Sequence, residues 1–118
     1  MVYVIIKPQS TYRDLIMFNL QDCIAQNKAH PSTFHIPDAE DITRLKVGDL
    51  AKIVFLYDEK VDTPHGVPVS SERMWIKITE INNGEFKGEL DNEPNNKKLS
   101  LDMDIKFETK HICNVYFN

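Results

Sequence analysis

A chain of 118 residues with 42% hydrophobic and 27% charged side chains has the composition of one globular domain with its own core. No run approaches the roughly 20 consecutive apolar residues of a membrane-spanning helix, and a net charge of −4, with Lys97-Lys98 as the only adjacent basic pair, argues against a surface that grips a phosphate backbone. Met1 to Ile6 is apolar but lacks a basic leader and a small-residue cleavage site, so the expectation is a cytoplasmic protein with neither a membrane nor a nucleic-acid partner.

Val2 to Ile6 reads as a strand ended by Pro8. Thr11-x-x-Asp14 is a weak capping box. Tyr12, Leu15, Ile16, Leu20, Cys23 and Ile24 then recur at helical spacing, with Arg13, Asp14, Asn19, Gln21 and Asp22 mostly opposite. That pattern predicts an amphipathic helix over residues 11–27, laid against a sheet. Thr33 to Ile36 is a short extended piece, and Asp38 can cap a helical turn from Ala39 to Leu45. Gly48-Asp49 turns the chain into Leu50 to Tyr57, which is apolar on both sides apart from Lys52 and so reads as a central strand. Asp58 to Ser71, with Pro64, Gly66 and Pro68, reads as a long loop, either functional or mobile.

The clearest signal is a hairpin from Glu72 to Pro94. Alternation puts Met74, Ile76 and Ile78 on one face and Arg73, Trp75, Lys77 and Thr79 on the other. A two-residue Asn83-Gly84 turn pairs Ile78 with Glu89 and Ile76 with Asp91, mixing apolar and charged residues. A three-residue loop instead pairs Ile78 with Gly88, Ile76 with Leu90 and Lys77 with Glu89, and sets Thr79 beside Lys87. The prediction is therefore a three-residue loop, a type I turn with a G1 bulge, and a left-handed Gly84. The dry face is Met74, Ile76, Ile78, Phe86 and Leu90. Trp75, the only tryptophan, falls on the opposite face beside Lys77 and Lys87, either packed beneath a covering element or exposed as a binding anchor.

Further strands are read at Leu99 to Phe107 and at His111 to Phe117. The sum is α+β: an N-terminal strand and helix packed on a curved antiparallel sheet or partly open β-barrel, as a single domain over residues 1–118.

From Phe34 onward the chain resembles a bacterial family of domains of unknown function. The likeness is carried by Leu45-x-x-Gly48-Asp49, by Glu72-Arg73-Met74-Trp75-Ile76, by Gly88-x-Leu90-x-Asn92-x-Pro94 and by His111-Ile112. The Glu-Arg-Met-Trp strand is the specific part. Asp102-Met103 departs from the family's usual Gly-Asp, and the 58–71 loop looks longer than its usual link. The resemblance implies a small, bacterial, cytoplasmic protein without established activity. Some similar domains look like members of toxin-immunity neighbourhoods.

Reactive constellations are sparse. His30 and His35 are five apart across Pro31, the wrong spacing for a helical metal pair, and His111 reads as a surface or edge residue. Cys23 and Cys113 sit in apolar patterns and read as buried thiols, without metal-site spacing; a disulfide between them stays open. Arg73 is expected to pair with Glu93 at the strand end, and Asn92 to close an Asx-type turn. No catalytic, cofactor-binding or metal-binding residue is assigned, and no cofactor is expected. The leading functional expectation is a non-catalytic protein-binding module, with a toxin as one candidate partner, contacting it through Trp75, Lys77, Lys87 and the loop around His65. The alternative is a small-molecule-binding protein or an enzyme of unknown reaction, with His111 or His35 lining its pocket.

Overall fold

The computed structural model describes the backbone of residues 2–5 and 15–118, and side chains from residue 18 onward. The elements in chain order are β1 (Val2–Ile5), β2 (Leu15–Leu20), α1 (Cys23–Ala29), α2 (Ala39–Thr43), β3 (Leu50–Val61), β4 (Val69–Asn82), β5 (Glu85–Leu90), β6 (Asp104–Glu108), a 3-10 turn at Thr109–His111, and β7 (Ile112–Tyr116). The class is α+β, as expected.

The strands lie in the order β1-β2-β3-β4-β5-β6, and β7 comes back to pair with β3; every pairing is antiparallel. One edge of β3 is used twice. Leu50 to Ile53 pair with β7, while Phe55 and Leu56 pair with β2. This curls the sheet into a half-barrel around Phe18, Ile53, Phe55, Ile76, Ile78, Leu90, Met103 and Ile105, all buried to 2% exposure or less. Each such side chain contributes about 1.5–3 kcal/mol relative to leaving it in water.

The N-terminal helix is not as expected. Its start at Thr11 lies outside the described residues, and Leu15–Leu20 is a strand. Phe18 explains the change. It had no place in the helical stripe, yet it is 1% exposed and its ring lies 4.9 Å from that of Phe55, where a strand beside β3 delivers it. The helix begins only at Cys23, capped by Asp22, whose carboxylate accepts the Ala25 N–H at 3.0 Å. Ile24, assigned to the buried stripe, is 38% exposed.

The long loop at Asp58 to Ser71 is also corrected. Both flanks are strand, with Val61 paired to Val69, so only residues 62–68 connect them. Likewise the strand read from Leu99 starts only at Asp104; before it, Leu99 and Met103 are buried in turns, and Asp102 is left-handed.

The hairpin body keeps the expected register: Ile76 opposite Leu90, Lys77 opposite Glu89 and Ile78 opposite Gly88. The five dry-face residues are all at most 4% exposed. The turn differs. Asn82 pairs with Glu85, leaving the two-residue loop Asn83-Gly84, both with positive φ (50° and 83°) as a type I′ turn requires. The mismatch between this turn and the apolar register is absorbed at Thr79, an unpaired residue between Ile78 and Glu80. Lys87 therefore faces Glu80, with a 3.4 Å ion pair, and the Thr79 hydroxyl donates to the Lys87 carbonyl at 3.3 Å.

Candidate functional site

The outer face of β3, β4 and β7 is arranged in rows set by the register. Lys52 stands opposite Trp75, and its Nζ lies 4.8 Å from the indole centroid. One row along, Leu50 is flanked by Lys77 and Tyr116, and the Tyr116 ring meets Trp75 edge-on, 6.5 Å away at 74°. In the other direction, Val54 stands opposite Arg73, whose guanidinium lies 5.1 Å over the Phe34 ring.

The two ends of this face differ in cover. Cys23, Cys113, Phe34 and Ile36 pack over Val54, closing the face there. From Lys52 and Trp75 to Lys77 and Tyr116 no such layer is present among the described residues: Trp75 is half-buried, Lys77 is exposed, and Tyr116 is 57% exposed. Both sequence readings of this face thus apply, to different parts of it.

Each residue of the Glu-Arg-Met-Trp strand has a distinct task. The Glu72 carboxylate accepts the Tyr57 hydroxyl and the Asn95 N–H at 2.9 Å each, and the Asn96 N–H at 3.0 Å. Burial, helped by Glu72, pushes the Tyr57 phenol well above its usual pKa. Arg73 stacks outward on Phe34, and no carboxylate pairs with it among the described residues. The expected Arg73–Glu93 pair is therefore replaced by a cation–π contact. Met74 enters the core. The Trp75 N–H donates to the Asn92 side-chain oxygen, so Asn92 is structural, but across the strands rather than in a local turn. The segment Asn92 to Asn96 is thereby clasped to β4 at two points.

The Leu45 to Asp49 turn docks on the same strand. The Gly48 N–H donates to the Ile78 carbonyl, and the Ile78 N–H to the Asp49 carbonyl. The buried Asp49 carboxylate accepts N–H groups from Lys46 and Asn118, at 2.9 Å each.

The four proposed contact residues do not form one cluster. Trp75 and Lys77 share the open face. Lys87, also outward, lies beyond Glu89 toward the hairpin tip. His65 is in the exposed Thr63–Gly66 turn beyond Val69, about 20 Å of strand away from Trp75. Sequence reasoning missed Tyr116 and Lys52 as Trp75's neighbours, although Lys52 is the one charge between Leu50 and Tyr57.

Among the described residues, two clefts lie beside the sheet. One, of about 480 Å³, lies beside the hairpin tip and is lined by Phe86, Phe107, three glutamates, two lysines and His111. His111 is 8% exposed, not the surface residue expected, because the 3-10 turn folds it inward. Its Nδ1 accepts the Glu108 N–H at 3.0 Å. Burial lowers its pKa, with Glu108 opposing in part. A lowered histidine pKa means the unfolded chain takes up the proton first. The stabilising contribution is complete above about pH 6.5 and is lost as pH falls through that value. The urea midpoint is therefore expected to drop between pH 7.5 and 5, and His111→Gln, which can still accept from Glu108, to flatten that drop. An unchanged pH dependence in the variant would refute it. The second cleft, of about 440 Å³, is lined by His35, Asp41, Lys52, Arg73, Cys113 and Phe117, among others.

Among the described residues no group of three or more His, Cys, Asp or Glu is placed to hold a metal ion, and no helix is long and apolar enough to cross a membrane. No protein-family model matches the chain, and comparisons with curated proteins and with solved structures give no match.

Proposed function

We propose that the chain is a non-catalytic protein-binding module that meets its partner with the open part of the outer sheet face. Trp75 is the anchor, Tyr116 and Lys52 hold the indole, and Lys77 and Lys87 form the rim toward the hairpin. The observation that carries this reading is a lone tryptophan, half-buried on the part of the face that no described residue covers, braced by a cation and a second aromatic ring. Trp and Tyr held in a fixed geometry are the residue types enriched in energetic hot spots. The chain's net charge of −4 steers a basic partner toward it, while the lysines beside Trp75 receive that partner's carboxylates. An immunity-like protein that occupies a toxin is one form of such a module, and the motif likeness to the Glu-Arg-Met-Trp domains supports it.

The test begins with what co-purifies with the protein from its own cell. Against that partner, Trp75→Ala is expected to weaken binding by about 30-fold or more, the cost of a hot-spot truncation. Its urea midpoint should move by no more than about 1 kcal/mol-equivalent, since the ring is only half-buried. Trp75 is also the sole indole, so its emission should shift to the blue on binding. Unaltered affinity, or loss of the folding transition in the variant, would refute the assignment.

A further inference from the structure

The two cysteines come together in a way that neither the fold nor the binding face requires. Cys23 is the first residue of α1 and Cys113 the second of β7, 90 positions later, yet they pack against each other and Val54 in one small cluster on the outer side of the sheet. A bulge in β7 brings this about. Lys52 pairs with Asn114 but Ile53 pairs with Ile112, so Cys113 is the extra residue. A bulge re-aims a side chain. Here Ile112 enters the barrel core while Cys113 turns outward to meet Cys23.

The two sulfurs are not equivalent. Cys23 is fully buried, its thiol donates to the His111 carbonyl at 3.3 Å and has the Gln21 carbonyl at 3.6 Å, and Cys113 packs beside it. Cys113 is 7% exposed and lines the second cleft, where Arg73, Lys52, His35 and Asp41 also lie. The hydrogen bond from Cys23 is the largest influence holding the Cys113 pKa down, to about 7. Burial opposes it, and Arg73 and Lys52 lower it further. Cys23 goes the other way: its bond to Cys113 and its burial push its pKa up, and the nearby Asp22 adds to this. One sulfur is thus available as thiolate at the floor of a cleft, and the other is a protonated neighbour behind it. This is the arrangement of an attacking and a resolving thiol.

We propose that Cys113 and Cys23 form a peroxide-reactive dithiol, with Cys113 the attacking nucleophile and Cys23 the resolving thiol. The Cys113 thiolate attacks one oxygen of hydrogen peroxide. An S–O bond forms, the O–O bond breaks, and hydroxide leaves, taking up a proton to become water. Cys113 is then a sulfenic acid, oxidised by two electrons. The Cys23 sulfur displaces its hydroxyl as a second water and closes a disulfide between α1 and β7. In sum, two thiols and one peroxide give one disulfide and two waters. The reaction does not depend on the protein-binding reading, because Trp75 takes no part in it.

The full chain treated with hydrogen peroxide is expected to lose about two mass units, with peptide mapping linking Cys23 to Cys113. In Cys23→Ser the sulfenic acid should persist and be trapped by dimedone at residue 113. In Cys113→Ser, Cys23 should stay reduced. Alkylation of Cys113 in the native protein should rise with pH through a midpoint near 7. Arg73→Gln should slow it roughly three- to tenfold near neutral pH by removing a cation that favours the thiolate. Oxidation of the methionines before any Cys23–Cys113 link forms, or a dimedone adduct on Cys23, would overturn the proposal. Should Cys23→Ser not fold, the wild-type alkylation profile decides alone. A midpoint at the ordinary thiol value, near 8.5, would overturn it.

Discussion

Gly88→Ala is expected to cost about 3 kcal/mol, at the upper end of what overpacking a core usually does. Gly88 sits opposite Ile78 on β5, inside the sheet, at the last regular rung before the Thr79 bulge. A methyl group there would lie 2.5 Å from the Ile76 Cγ2 and 2.5 Å from the Lys77 carbonyl oxygen. The first atom belongs to a fully buried side chain, and the second to the backbone of β4, so neither can withdraw without moving the hairpin. The residue's own φ is not at issue; the constraint is the close approach of two strands. A urea titration checks this directly. Comparison within an Ile76→Ala background separates the two contacts: because the carbonyl contact survives there, Gly88→Ala should still lower stability relative to Ile76→Ala alone. A Gly88→Ala protein with an unchanged midpoint would mean the strands are free to part.

Glu72→Ala is expected to destabilise by a similar amount, about 3 kcal/mol. The carboxylate is the common acceptor for the Tyr57 hydroxyl and two backbone N–H groups of the 92–96 segment. Removing it strands three half-buried donors, each at a cost of about 1 kcal/mol or more. Glu72→Gln should lie between wild type and alanine. Its amide oxygen can accept from two donors, but its NH2 group meets an N–H where an acceptor is needed. A second readout distinguishes this clasp from simple packing. With Glu72 gone, the Tyr57 phenol loses one of the influences that raise its pKa and should ionise at lower pH, while burial still acts on it. A glutamine variant as damaged as alanine would mean that the charge, not the acceptor count, matters.

How far the sequence could be read follows from where alternation was informative. In β4 and β5, apolar and polar residues alternate cleanly, and only one register puts Met74, Ile76, Ile78, Phe86 and Leu90 together. That register is the one observed from Ile76 to Ile78; beyond Thr79 the ladder shifts by one residue, and Phe86 pairs with Ile81. The turn beyond it is not legible in the same way, because alternation says nothing about a bulge. Asn-Gly favours a two-residue turn, the core favours a register one residue away, and Thr79 reconciles them by dropping out of the ladder. The N-terminal region failed differently. Residues 15–24 fit a helical stripe well enough to conceal Phe18, and the pairing of β2 with β1 and β3 overrode that local pattern. The outer face was half legible. Alternation placed Trp75 and Lys77 together, but Tyr116 and Lys52 arrive through β7 and β3, and Arg73 turned to Phe34 rather than to Glu93. Such contacts depend on strand order, which residue spacing within one segment does not encode.

The double use of one edge of β3 bears on how the molecule breathes. Two short strands lie end to end along that edge, β7 beside Leu50 to Ile53 and β2 beside Phe55 and Leu56, and neither is hydrogen-bonded to the other along this edge. Each can lose its pairing to β3 separately once the bond from Cys23, just after β2, to the His111 carbonyl yields, whereas the opposite edge is joined to β4 from Leu50 to Leu56 without a break. Opening is therefore divided between two local events that share a common spine of β3 and β4. Release of β7 carries Cys113, Tyr116 and the 3-10 turn with it; release of β2 carries Phe18 out of the core and leaves the Trp75 face standing.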